Sequence, residues 1–254
     1  MEEKKQRHFV LVHGACLGAW CWYKLQTLLE AAGHRVTTFD LSASGIDPKS
    51  IDELRTFSDY TMPLFKVMES ISQDEKVVLV GHSLGGMNLA FAMEKYPQKI
   101  SVAVFVTAYM PDTVHRPSYV LEQTPKGNSL DTQFIQFGRP EDKLTAMLFG
   151  PEYLSEMYHL CTPEDVALAK TLVRPMSVFM EDLSKRHPFS NEGYGSVKRA
   201  FIICAQDKGM NEEFQRWEIE NSGAAIVKEI KDADHMAMIS NPHKLCQFLL
   251  EIAN

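Results

Sequence analysis

The pentapeptide Gly81-His82-Ser83-Leu84-Gly85 constrains the fold more than any other stretch of this chain. The run Lys76-Val77-Val78-Leu79-Val80 leads into it, rich in the β-branched residues that suit a strand. Gly86-Met87-Asn88-Leu89-Ala90-Phe91-Ala92-Met93 follows and reads as a helix. The order is therefore strand, tight turn, helix. A side chain would clash where such a strand and helix nearly touch, which accounts for the flanking glycines. Ser83 is then held on a sharp bend, its hydroxyl exposed above the sheet and a helix N-terminus beneath it. The alternative is an incidental turn serine, and the partners found below weigh against it.

The same order recurs along the chain. Short apolar runs lie at 8–12, 34–39, 76–80, 102–107, 200–204 and 225–230. Helical patterns lie near 20–32, 51–71, 84–95, 212–221 and 242–253. This alternation predicts an α/β fold, a mainly parallel sheet with helices on both faces. Strands this continuously apolar fit a sheet buried on both sides. The alternation fails between about 111 and 198, a stretch rich in helix formers, methionine and aromatics. Within it, Thr162-Pro163-Glu164-Asp165 reads as an N-cap followed by proline at the first helical position. With neither repeats nor a low-complexity linker, the stretch is expected to be a helical cap packed on one 1–254 domain.

The 254 residues suit one large α/β domain. A net charge of −7 argues against nucleic acid, whose phosphates need a basic face. No run of 18 apolar residues suggests a membrane span. Residues 1–7 are charged and lack the apolar core of a secretory signal. The 5 cysteines, Cys16, Cys21, Cys161, Cys204 and Cys246, have no metal-ligand spacing and read as reduced thiols.

A serine hydroxyl is a poor nucleophile at neutral pH. It needs a base, and the base needs an orienting carboxylate. Behind a turn of this kind the chain order is Ser, then Asp or Glu, then His. Of 9 histidines, His235 stands out, just after the last predicted strand and before the last helix. A loop histidine capping that helix is the bland reading. Asp207, after the run at 200–204, is the favoured carboxylate, although an Asp before Lys-Gly is also a common turn former. Asp232 and Asp234 compete, but each sits too near His235 in sequence to reach its far ring nitrogen easily. Backbone amides must hold the oxyanion. One is expected from Leu84, the residue after the serine, and the other from Ala15 in Val12-His13-Gly14-Ala15-Cys16, where Gly14 permits a tight turn. His13 and His82 precede Asp207 and read as supporting hydrogen-bonders. Of the 13 methionines, Met87, Met110, Met147, Met176, Met180, Met210, Met236 and Met238 lie near these loops or in the cap, and a minority could line a soft apolar pocket.

These segments resemble the plant methylesterase family of the α/β-hydrolase superfamily. The match runs through His8 to Cys16, Trp22 to Leu25, Leu28 to His34 and Gly81 to Gly86. It continues at Met110 to Asp112, Gly195 to Arg199 and Asp234 to Met238, and so covers essentially the whole chain. The resemblance implies an α/β-hydrolase fold and a cytosolic, commonly homodimeric methylesterase needing no cofactor. It places the triad on Ser83, Asp207 and His235 and the oxyanion amides on Ala15 and Leu84. Two departures stand out. The segment 121–130 is a few residues shorter than in relatives, and a salicylate esterase of the family carries a pocket tryptophan where this chain has Ser129. Both suggest a roomier site, with substrate touching Gly14, Ala15, Ser83, Ser129 and His235. Hydroxynitrile lyases of the same family carry Thr at the position of Gly14 and Lys at the position of Met236, so lyase chemistry lacks its electrostatic partner here. A hormone-binding receptor is a third reading, but it would not need an intact triad. The expected reaction is hydrolysis of a plant hormone or alkaloid methyl ester, followed by decarboxylation if the product is a β-aldehyde acid.

Overall fold

Strands form at all six apolar runs predicted for the core. The computed structural model describes residues 6–125, 129–142 and 144–254. Among these, the strands are β1 (His8–Val12), β2 (Arg35–Thr38), β3 (Val77–Ser83), β4 (Ile100–Ala108), β5 (Gln133–Phe137), β6 (Leu144–Leu148), β7 (Arg199–Cys204) and β8 (Ile226–Ile230). Six of them make one sheet in the order β2-β1-β3-β4-β7-β8. Every neighbouring pair in it is parallel.

The side chains of a strand alternate between faces. Val10, Val12, Leu79, Phe105 and Phe201 therefore join one core, and Phe9, Leu11, Val80, Val104 and Ile202 the other. Helices α2 (Phe57–Ser70), α3 (Gly85–Lys95) and α8 (Glu212–Ser222) supply the first core. Helices α1 (Tyr23–Ala31) and α10 (Pro242–Ala253) supply the second. Each fully buried Val, Leu or Phe of this kind contributes about 1.5–3 kcal/mol over exposure. The edge strands β2 and β8 are covered less completely and carry Arg35, Lys228 and Glu229.

The stretch between β4 and β7 is not wholly helical, contrary to the expectation. It holds α4 (Ser118–Glu122), α5 (Pro151–Met157), α6 (Pro163–Leu172) and α7 (Met180–Lys185), but β5 and β6 pair in it as an antiparallel hairpin. Gln133-Phe134-Ile135-Gln136-Phe137 is aromatic and β-branched, and Gly138 turns the chain at φ 73°. Thr162 caps α6 through a reciprocal box with Asp165, with Pro163 in the first turn, as the sequence indicated. The Asp165 carboxylate also accepts from Tyr23 Oη (2.6 Å) and Lys24 Nζ (2.7 Å), tying the insertion to α1. Arg174 clamps it from another side, donating its backbone N–H to the Cys16 carbonyl (3.0 Å) and its guanidinium to the carbonyls of Gly45, Asp47 and Lys49. The insertion is thereby fixed over the carboxyl ends of the sheet strands, where ligand loops gather in such folds.

Candidate active site

Ser83 ends β3, and Leu84 is the N-cap of α3. The serine sits at φ 53°, a left-handed conformation that costs a non-glycine residue about 1–3 kcal/mol. The turn is too tight for anything but glycine at its flanks. A Cβ on Gly81 would lie 2.9 Å from the Gly85 carbonyl carbon, and one on Gly85 would lie 2.6 Å from the Val12 carbonyl oxygen. The Ser83 side chain is left half-buried at the top of the sheet.

His235 and Asp207 come together from separate loops. Asp207 follows β7, and His235 follows β8 and precedes α9 (Ala237–Ser240). His235 Nδ1 lies 2.6 Å from Asp207 Oδ2. The ionised carboxylate can only accept, so Nδ1 carries the proton and Nε2 has a free lone pair. Asp207 Oδ1 accepts the backbone N–H groups of Gly209 (2.7 Å) and Met210 (2.9 Å), which fixes the rotation of the carboxylate. Burial pulls the His235 pKa down, but the charge of Asp207 and its hydrogen bond outweigh this, helped by Asp234. The net direction is upward from the usual histidine value.

The other acidic candidates are occupied or remote. Asp232 is exposed. Asp234 is fully buried and makes no hydrogen bond to the imidazole. Its Oδ1 accepts from Met236 N–H (2.9 Å) and Ser240 Oγ (2.7 Å), and its Oδ2 accepts from Leu160 N–H (2.9 Å). It holds the His235 loop to the insertion.

His13 and His82 support the site as expected. His13 Nδ1–H donates to the Gly14 carbonyl (2.9 Å) while its Nε2 accepts from Leu41 N–H (3.0 Å), which sets its tautomer. His82 Nε2–H donates to the His235 carbonyl at 2.7 Å. Burial, reinforced by the charge of His235, pushes the His82 pKa well down, so this ring stays neutral. A Cβ on Gly14 would approach His82 Nδ1 and Ser83 Cβ to 2.9 Å, so only glycine brings the loop after β1 this close to the serine. The Ala15 amide in that loop donates to no protein acceptor among the described residues. Leu84 has no side-chain cap, and first-turn amides have no partner within their helix.

A cavity of about 10 Å³ adjoins Ser83 and His235, walled by Ala15, Phe149, Met157 and Met236 among others. That is room for about one water molecule. Phe149 and Met157 also line an open groove of about 490 Å³ that includes Tyr109, Ser129, Tyr153 and Lys208. At its rim Lys208 pairs with Glu156 at 2.9 Å. Of the methionines singled out in the sequence, Met236 reaches the inner cavity and Met147 the groove, Met180 is exposed and lines neither, and Met87, Met110, Met176, Met210 and Met238 are core. Phe149, Tyr153, Met157 and Tyr158 were not foreseen, since aromatic and methionine residues on the insertion look like ordinary core residues. Residues 126–128 of the shortened segment lie outside the described residues. Among the described residues no cluster of His, Cys, Asp or Glu could hold a metal, and no helix is long and apolar enough to cross a membrane.

Known proteins resemble this chain over nearly its whole length. The profile of the Alpha/beta hydrolase family matches residues 9–248. Salicylic acid-binding protein 2 of Nicotiana tabacum is 63% identical over 256 residues, covering 99% of this chain and 98% of its own. Methylesterase 1 of Arabidopsis thaliana is 52% identical, covering 100% of this chain and 98% of its own. The crystal structure of polyneuridine aldehyde esterase superposes with a TM-score of 0.96 at 55% identity, over 98% of this chain and 100% of that one. The chain belongs to the alpha/beta hydrolase family, and within it to the plant methylesterases.

Proposed function

We propose that Ser83, His235 and Asp207 act together as nucleophile, base and orienting carboxylate. The single observation that carries this reading is the 2.6 Å contact between His235 Nδ1 and Asp207 Oδ2, with His235 beside Ser83 in one cavity. The protein is a carboxylic ester hydrolase, a serine esterase acting on methyl esters of plant metabolites. Ser83 Oγ attacks the ester carbonyl as His235 Nε2 takes its proton, and Asp207 stabilises the imidazolium that results. The tetrahedral oxyanion rests on the amides of Ala15 and Leu84. His235 returns the proton to the leaving methoxide, methanol departs, and water hydrolyses the acyl-serine by the reverse proton route. Among the described residues no lysine or arginine lines the inner cavity to receive a departing cyanide, so the lyase reading gains no support there.

The insertion, about 111–198, serves as a cap on a single hydrolase domain. The cavity beside Ser83 is small, so the bulk of a large acyl group has to occupy the groove beyond Phe149 and Met157. A cytoplasmic homodimer is part of this proposal, on the strength of the family resemblance. Sedimentation equilibrium reads the oligomeric state.

Release of methanol from a panel of hormone and alkaloid methyl esters tests the reaction, and its pH dependence tests the base. Only neutral His235 accepts a proton. Its pKa is displaced upward, so kcat/KM rises with pH through a midpoint above the ordinary histidine value. A profile flat across roughly pH 5 to 8, with chemistry limiting, refutes His235 as base.

Ser129 is exposed on the wall of the groove. Ser129→Trp is expected to narrow the groove and favour small planar aromatic esters over bulky ones. The change should be graded, since apolar pockets discriminate by only about 1–3 kcal/mol per methylene. The ratio of kcat/KM for methyl salicylate and a bulky alkaloid ester reads the effect. An unchanged ratio removes Ser129 from the pocket.

A further inference from the structure

Six described non-glycine residues have positive φ, and Thr107, at φ 37°, is the β-branched one among them. For a branched side chain this conformation is a true outlier and needs a cause. The cause lies in the register of β3 and β4. His82 pairs with Val106 and Ser83 pairs with Ala108, so Thr107 is an extra residue bulged out of the ladder. Bulges re-aim side chains and recur beside active sites. Beyond this one, Tyr109 N–H rejoins β3 by donating to the Ser83 carbonyl at 3.1 Å.

The bulge turns the Thr107 hydroxyl toward Asp207. The side chain is fully buried, and Oγ1 donates to Asp207 Oδ2 at 2.5 Å. That oxygen also accepts His235 Nδ1–H at 2.6 Å, while Oδ1 takes the amides of Gly209 and Met210. The carboxylate thus has four donors, of which Thr107 supplies the one drawn from the strand beside Ser83. Valine would fill the same volume without the hydrogen bond, and glycine would accept the backbone without strain. The strained threonine is explained by the hydroxyl.

We propose that Thr107 is a positioning residue, whose hydroxyl shares Asp207 Oδ2 with His235, holds the carboxylate's rotation and draws off part of the negative charge that the imidazole meets. This rests on the reading of Ser83, His235 and Asp207 given above. The charged and titratable groups facing His235 are Asp207 from the loop after β7, Asp234 in its own loop, and neutral His82 from β3, whose ring centroid lies 4.6 Å away. Removing the Thr107 hydroxyl concentrates charge on Oδ2. The imidazolium is then better stabilised and His235 becomes a base only at higher pH. The less firmly held carboxylate also lowers turnover at every pH.

Steady-state kinetics on a methyl ester across pH, for Thr107→Val, Thr107→Ser and Thr107→Gly, test the proposal. Hydrogen bonds to charged groups are strong enough that Thr107→Val should lower kcat about ten- to a hundredfold, with KM little changed. The acid limb of kcat/KM should move to higher pH. Thr107→Ser should restore both turnover and limb, which a purely structural role of the side chain would not predict. Two results overturn the proposal: Thr107→Val within about twofold of the parent with its limb unmoved, or Thr107→Ser as damaged as Thr107→Val. If Thr107→Val fails to fold, Thr107→Gly carries the same comparison, since glycine takes φ 37° freely. Ser83→Ala run alongside separates the two readings. A live Ser83→Ala enzyme defeats the proposed function itself, whereas a dead one beside an unaffected Thr107→Val defeats only the role of Thr107.

Discussion

Changing Ser83 to alanine is expected to lower kcat for a methyl ester by about a millionfold, the scale seen when a serine hydrolase loses its nucleophile. The loss should be confined to chemistry. The half-buried hydroxyl has no hydrogen-bond partner among the described residues, so its removal leaves no buried group unpaired. Alanine keeps the Cβ, so the backbone at φ 53° is no more strained than before. The turn is shaped by Gly81, Gly85 and the close approach of Val12, all of which are untouched. The melting temperature and circular dichroism should match the parent, and ester substrate should still bind. The rate that remains should reflect binding and the Ala15 and Leu84 amides, which in a comparable enzyme still give about 10³–10⁴-fold over water. Residual turnover within about tenfold of the parent would remove Ser83 from the mechanism.

Much of this architecture was legible because the relevant forces are local or periodic. The central strands are apolar on both faces, so β1, β3, β4 and β7 stand out as continuous runs between helical patterns. The Ser83 turn declares itself through glycines that steric contact demands. The sequence singles out Asp207 and His235 because each lies just past a strand end, where chain order and fold direction agree.

The β5–β6 hairpin was missed for the opposite reason. Its strands are short, and four of the five residues of β5 are exposed, so burial leaves little pattern in the sequence. Helix formers around it dominated the reading of the insertion. Thr107 was missed because its conformation has no local cause. It follows from the register of β3 against β4 and from a carboxylate 100 residues further along the chain. The groove residues Phe149, Tyr153 and Met157 are ordinary apolar choices until the fold places them beside Ser83.

Asp207→Asn is expected to lower kcat on the order of ten-thousandfold, as in a comparable triad, and the surrounding hydrogen bonds explain why. An asparagine here is not free to choose its orientation. The Gly209 and Met210 amides both point at the Oδ1 position, 2.7 and 2.9 Å away, and they require an acceptor. The amide oxygen must therefore sit there, which puts the NH₂ group at the Oδ2 position, facing His235 Nδ1. An NH₂ group donates, so His235 must offer its Nδ1 lone pair and carry its proton on Nε2. The other ring nitrogen, Nε2, then has no lone pair with which to accept the serine proton. Loss of the carboxylate charge also removes the largest influence raising the His235 pKa, so the acid limb of kcat/KM should shift to lower pH even as the rate collapses. Asp234→Asn should behave differently. Its carboxylate serves Met236, Ser240 and Leu160, so the expected cost is about 1–3 kcal/mol of stability from partners left unpaired, with a far smaller effect on turnover. Thermal melts and kinetics on the two variants decide the matter. If Asp234→Asn abolishes turnover while Asp207→Asn leaves it intact, the carboxylate that orients His235 is not Asp207.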